Sequence, residues 1–97
     1  MKGGRSRNDE LGFYFVYMLL CDDGSYYTGS TNNVALRFER HKKGYGARYT
    51  RIRRPKSVVY VQRFATRAAA IRREMQIKSL SHSEKKELVS PANDRTE

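Results

Sequence analysis

Nine consecutive apolar residues, Phe13 to Cys21 (F-Y-F-V-Y-M-L-L-C), run directly into Asp22-Asp23-Gly24. Aromatic and β-branched residues fall on alternate positions with apolar residues on both faces, the pattern of a strand covered on both sides. The run is too short to span a bilayer, which takes about 20 residues as a helix, so it predicts a central strand. The D-D-G that follows suits a three-residue hairpin loop, a type I turn closed by Gly24 in the left-handed region. The return strand is then S-Y-Y-T-G-S. This loop sets Cys21 opposite Ser25, Leu19 opposite Tyr27 and Tyr17 opposite Gly29. Tyr17, Tyr27 and Gly29 therefore share one face. A two-residue loop would slip the pairing and put the two tyrosines on opposite faces.

Further along, either Asn32 or Asn33 caps a helix over about residues 34 to 43, and Gly44 is placed to end it. Arg37 and His41 stand four apart, on one face of that helix. The stretch Tyr45 to Arg54 (Y-G-A-R-Y-T-R-I-R-R) is read as either a short helix or an ordered loop, stopped before Pro55. Residues 57 to 64, S-V-V-Y-V-Q-R-F, predict a third strand. Thr66 caps a helix reaching to about Leu80, and Ser81 or Ser83 starts a short terminal one. A chain of 97 residues holds one core. The expected fold is a small α/β (α+β) domain over residues 13 to 89, a three-stranded, mainly antiparallel sheet flanked by helices. Residues 1–12 and 90–97 are polar and are expected to be disordered tails.

Twenty Lys and Arg stand against ten Asp and Glu, a formal charge of +10. Sixteen of the basic and six of the acidic residues fall within 13 to 89, so the excess belongs to the folded part. Such a balance favours a polyanionic partner through release of condensed counterions. Charge alone suits a ribosomal, chromatin or membrane-surface protein equally well. Cys21 is the single cysteine, which excludes an intramolecular disulfide framework and a cysteine-based zinc site. With no export signal read at the start of the sequence, the expected location is the cytoplasm. His41 and His82 lack the company of a zinc motif, and His82 is read as a surface residue. The run Lys42, Lys43, Arg48, Arg51, Arg53, Arg54 and Lys56 is either a solvated face or a contact to phosphates. Tyr45 and Tyr49, interleaved with it, either stack on bases or pack beneath the segment, and packing is expected for at least one.

On the helix after the third strand, 100° per residue places Arg72, Arg73 and Gln76 on one side. Ala70, Ile71, Met75 and Ile77 lie on the other, with Glu74 in the middle of the apolar arc. An inward carboxylate must be paired, hydrogen-bonded or bound to a cation, since a lone buried charge costs several kcal/mol. The plainest partner is Lys78, four residues on.

These residues together resemble the GIY-YIG nuclease superfamily. Val16-Tyr17-Met18 and Tyr27-Thr28-Gly29 look like its two signature tripeptides, with Val, Met and Thr replacing the named Gly and Ile. Arg37 and His41 follow as R-x-x-x-H, and Glu74 matches the family's metal-binding glutamate. The likeness runs over about residues 13 to 89, and G-A-R-Y-T-R-I-R-R-P, residues 46 to 55, looks like the small stand-alone, mostly uncharacterised branch. The further asparagine of larger members has no counterpart near Lys78 and Ser79.

The resemblance implies an endonuclease that hydrolyses phosphodiester bonds in DNA, directed to particular structures or to damage and so to repair, with RNA left open as a substrate. It implies a single Mg²⁺ or Mn²⁺ held by Glu74, charge-assisted contacts from Arg37 to the phosphate, and Tyr17 or Tyr27 orienting or deprotonating the attacking water with help from His41. Gly29 is implied as a structural position. Lys42, Lys43, Arg48, Arg51, Arg53 and Arg54 would hold the nucleic-acid backbone. A partner protein supplying specificity is expected, because family members often borrow it from an appended domain; no membrane is. The competing readings are a nucleic-acid-binding module of the same fold with little or no turnover and, third, an RNA or ribosome accessory protein.

Overall fold

A computed structural model describes residues 12 to 90. The expected tails lie outside the described residues, apart from Gly12 and Ser90. Three strands, β1 (Tyr14–Cys21), β2 (Tyr26–Thr31) and β3 (Pro55–Phe64), form one antiparallel sheet in the order β2-β1-β3. The apolar run is the central strand, as its two-faced pattern requires. Helices α1 (Val34–Lys42) and α2 (Arg48–Arg53) separate β2 from β3, and α3 (Arg67–Lys78) and α4 (His82–Leu88) follow β3. None of these helices is long and apolar enough to cross a membrane.

The hairpin has the three-residue loop. Gly24 N–H donates to the Cys21 carbonyl (2.9 Å) and Cys21 N–H to that of Ser25 (2.9 Å), with Gly24 at φ +84°. Tyr17 pairs with Gly29 and Leu19 with Tyr27, so Tyr17, Tyr27 and Gly29 do share a face. Helix α1 is capped by Asn33, whose side chain accepts from Leu36 N–H at 3.1 Å. Its far end closes with Gly44 N–H on the His41 carbonyl and Tyr45 N–H on that of Arg40, the paired bonds of a Schellman stop. Thr66 caps α3 through Ala69 N–H, and Ser81 caps α4 in a reciprocal box with Glu84.

Strand β3 begins two residues before the expected 57, at Pro55. Proline is tolerated there because β3 is an edge strand and Pro55 its first residue. The open stretch after α1 resolves into α2, which ends at Arg54 in a left-handed conformation (φ 55°). The carbonyls of Arg53 and Arg54 both accept from Asp22 N–H (3.1 and 3.0 Å), tying this segment to the hairpin turn.

Alternation along β1 divides the molecule into three layers. Val16 and Met18 face α3 and form the core with Tyr60, Ala70 and Ile77; Tyr14, Tyr26, Leu88 and Val89 pack around it. Tyr17 faces the other way, toward α1 and α2. The expected apolar arc of α3 is narrower than its sequence suggests. Ala70 and Ile77 are buried, whereas Met75 is 66% exposed and Ile71 only partly covered. Met75 lies about 140° around the helix from Ala70, beyond the sheet's reach. The core-facing line passes through Ala70, Glu74 and Ile77, with Arg73 at its border donating to Gln62, Gln76 and Tyr60.

Candidate active site

Cross-strand pairing lays the Tyr17 ring over Gly29, where a Cβ would stand 2.7 Å from the phenol oxygen. No larger residue fits at position 29 without moving the ring. On the far side, the Tyr17 hydroxyl meets His41 Nε2 at 2.9 Å, and His41 Nδ1 meets Thr50 Oγ1 at 2.8 Å. Thr50 hydroxyl donates to the Ala47 carbonyl at 2.9 Å. Its single proton is thereby used, so toward His41 the threonine oxygen can only accept. Nδ1 therefore carries the imidazole proton. Nε2 is left unprotonated and accepts from the Tyr17 hydroxyl. Thr50 selects the tautomer and, through it, the direction of the whole chain.

Tyr17, His41 and Thr50 are all essentially inaccessible. Gly46 packs flat on the imidazole, where a Cβ would overlap Nδ1. Burial holds the Tyr17 phenol well above the ordinary tyrosine range; the Tyr27 hydroxyl and Glu74 raise it further, and the charge and hydrogen bond of Arg37 oppose them. Burial likewise depresses His41, with the Arg37 charge adding to the effect. Both shifts keep the pair neutral around pH 7, which is the state the hydrogen-bond directions require.

Tyr27 lies on the same face, its ring 4.9 Å from His41 and 6.3 Å from Tyr17. Unlike Tyr17 it reaches the surface, where with Arg37, Asn32 and Tyr45 it lines an open groove of about 550 Å³. The sequence left the two tyrosines equivalent; burial separates them. Tyr49 packs against Tyr27 at 5.9 Å under the Arg53 guanidinium (4.3 Å), while Tyr45 is 73% exposed.

Glu74 reaches the site from across the sheet. Its Oε1 accepts from the Ser30 hydroxyl (2.7 Å), its Oε2 pairs with Lys78 (2.9 Å), and the side chain is 17% exposed. Ser30 pairs with Val16 on the α3 face, so the tyrosines, Arg37 and His41 occupy one face and Glu74 the other. Glu74 is linked to them through its charge, which acts on the Tyr17 phenol, and through Ser30, which lines a groove together with Arg37. No three His, Cys, Asp or Glu among the described residues cluster to cage a cation. Glu74, whose hydrogen-bond donor Ser30 lines a polar groove together with Arg37, does fit an ion of the Mg²⁺ type, which keeps several waters and takes one or two carboxylates together with substrate phosphates. Lys78 would have to yield Oε2 to it.

In the basic run, Lys42 pairs with Glu39 (3.6 Å) and lies over Phe38, and Arg53 pairs with Asp23 (3.2 Å). Lys43, Arg48, Arg51 and Arg54 form no ion pair among the described residues. Thr50, Gly46 and Ser30 were not singled out in the sequence. Thr50 stands within G-A-R-Y-T-R, yet nothing in its spacing ties it to His41 until α2 is known to be helical.

The GIY-YIG catalytic domain family model matches residues 13–87. The chain belongs to the GIY-YIG family. A UPF0213 protein of Staphylococcus aureus strain Mu50 is 42% identical over 76 residues, 78% of this chain and 93% of that protein. The solution NMR structure of the UPF0213 protein BH0048 from Bacillus halodurans is similar with a TM-score of 0.53 at 40% identity, covering 84% of this chain and 90% of that one. That of EF2693 from E. faecalis has a TM-score of 0.56 at 31% identity, covering 88% and 92%. The three-stranded antiparallel sheet with helices is thus the fold of these relatives.

Proposed function

We propose that this GIY-YIG domain is an endonuclease that hydrolyses phosphodiester bonds in DNA, using one Mg²⁺ or Mn²⁺ at Glu74. The observation that carries the reading is the oriented chain Tyr17, His41, Thr50 next to Arg37. A buried, unprotonated Nε2 with its tautomer fixed is a proton acceptor built in advance. Tyr27, at the groove wall, orients the attacking water. The water's proton ends on His41 Nε2 by way of the Tyr27 hydroxyl, which reaches the groove, and then the buried Tyr17 hydroxyl, each taking one proton as it gives up its own. Arg37 binds the phosphate oxygens where negative charge accumulates. A divalent cation held by Glu74 would supply charge stabilisation at the leaving oxygen. Preference for damaged, branched or flapped DNA, a role in repair, a specificity-lending partner protein and a cytoplasmic location belong to this proposal.

Its test is incubation of purified protein with labelled duplex, single-stranded, flap and junction DNA, and matching RNA, with Mg²⁺, Mn²⁺ or chelator. Metal-dependent cutting lost in Glu74→Ala and kept in His82→Ala is the expected result. Arg37→Ala should reduce cleavage far more than binding, because its work is on charge that develops in the transition state. One observation favours a binding module instead: Ser30 and Lys78 already satisfy the Glu74 carboxylate without a cation. Binding without cutting across the whole panel would establish that second reading.

A further inference from the structure

Arg37 stands at the junction of two grooves. The larger runs past Tyr27 and reaches Arg40, one turn further along α1. The smaller, about 300 Å³, passes between Tyr14 and Ser30 and reaches Arg67, the first residue of α3. Both are lined by Thr31, Asn32 and Arg37, and neither by any carboxylate. They are two arms of one channel that bends around the β2 edge, with an arginine in each arm and a third at the bend. Arg40 and Arg67 are exposed and form no ion pair among the described residues. Of the basic run, Lys42 and Arg53 would each have to release a carboxylate to take a phosphate, whereas Lys43, Arg48, Arg51 and Arg54 are unpaired among the described residues but line neither arm. The positive end of the α3 dipole adds to Arg67.

We propose that the strand being cut lies along this channel, with Arg40 and Arg67 binding phosphates on opposite sides of the one held by Arg37. The inference rests on the nuclease reading and assigns to that site two ligands for the flanking backbone. It also moves the main phosphate track from the α2 face to the β2 edge. Each arginine neutralises one phosphate, so each contributes one step to the salt dependence of binding.

The test measures affinity for duplex and single-stranded oligonucleotides in chelator at several salt concentrations, for the wild type, Arg40→Gln and Arg67→Gln. Both side chains are exposed, so the variants are expected to fold, and circular dichroism checks it. Each should flatten the plot of log affinity against log salt by about 0.9 on duplex or about 0.7 on a single strand. A second arm places one neutral methylphosphonate 5′ or 3′ of the mapped cut. The Arg40→Gln effect should vanish with neutralisation on one side and the Arg67→Gln effect with neutralisation on the other. Unchanged slopes in both variants overturn the channel, as does a response of both arginines to the same side. Slopes that fall in Arg51→Gln and Arg54→Gln but not in these two put the strand on α2 and overturn it as well. If the wild type binds but cuts nothing, the hydrolytic reading fails while the slopes still judge the channel; if it binds no nucleic acid, both fail.

Discussion

Replacing Thr50 by valine keeps the shape of a fully buried side chain and deletes one hydroxyl. Two hydrogen bonds go with it, and they differ in consequence. The Ala47 carbonyl retains its backbone donors, the N–H groups of Thr50 and Arg51 at 3.1 Å each, so it is not stranded. His41 Nδ1–H has no second acceptor among the bonds of the site, and it sits where only about 1% of the residue is exposed. A buried donor left unsatisfied costs about 1–3 kcal/mol. Taking about 2 kcal/mol, and about 4–8 °C per kcal/mol for a domain of this size, Tm should fall by about 8–16 °C. The alternative open to the ring is to move its proton to Nε2, which relieves the orphan but turns the acceptor facing Tyr17 into a donor. Thermal unfolding followed by circular dichroism measures the first outcome, and the ¹⁵N shifts of the His41 imidazole measure the second. Thr50→Ser should restore both. A valine variant that melts within about 2 °C of the wild type and keeps Nδ1–H would refute the tautomer argument.

Thr28→Val should stabilise the fold by about 1 kcal/mol, raising Tm by about 4–8 °C, because Thr28 Oγ1 is buried without a partner among the described residues; a lower Tm would mean the hydroxyl is satisfied. Lys78→Gln should tighten Mn²⁺ binding by about fivefold in a calorimetric titration, since the ammonium that occupies Glu74 Oε2 is itself half exposed and such a pair is worth about 1 kcal/mol; unchanged or weaker binding argues against Glu74 as ligand. The pH dependence has a sign at each end. His41 is depressed in the folded state, so its neutral form, and with it cleavage, should persist below the ordinary histidine value near 6.5, while stability falls as pH drops from there toward the folded value. Tyr17 is raised, so its contribution is complete below about pH 10 and is lost as pH climbs above that. Denaturant titrations across pH check both limbs, and a stability maximum displaced to below pH 6 would contradict the first.

The hairpin was legible because its loop length and its alternation act together: D-D-G fixes the register, and the register fixes which face each tyrosine takes. The cap at Thr66 was legible for the same local reason, and those at Asn33 and Ser81 to within a choice of two residues, Asn32 or Asn33 and Ser81 or Ser83. What local pattern could not supply was the far side of a contact. Periodicity placed Glu74 inward correctly but gave Met75 to the core, because the width of a helix's buried stripe is set by the sheet it meets. The two tyrosines looked alike in sequence and differ in burial, since one lies on the central strand and the other on the edge. Thr50 was invisible because the bond it makes depends on where a short, weakly signalled helix comes to rest.

Surface segments between regular elements are ordinarily where a chain tolerates insertions. The segment from Lys43 to Pro55 is held at three points instead: Gly46 lies against the imidazole, Thr50 bonds its Nδ1, and the carbonyls of Arg53 and Arg54 bind Asp22 N–H. Its length is therefore fixed by the active site rather than by solvent. Adding even a few residues here would break the register between α2 and His41, so a fusion partner or an added recognition module has to be grafted outside this segment.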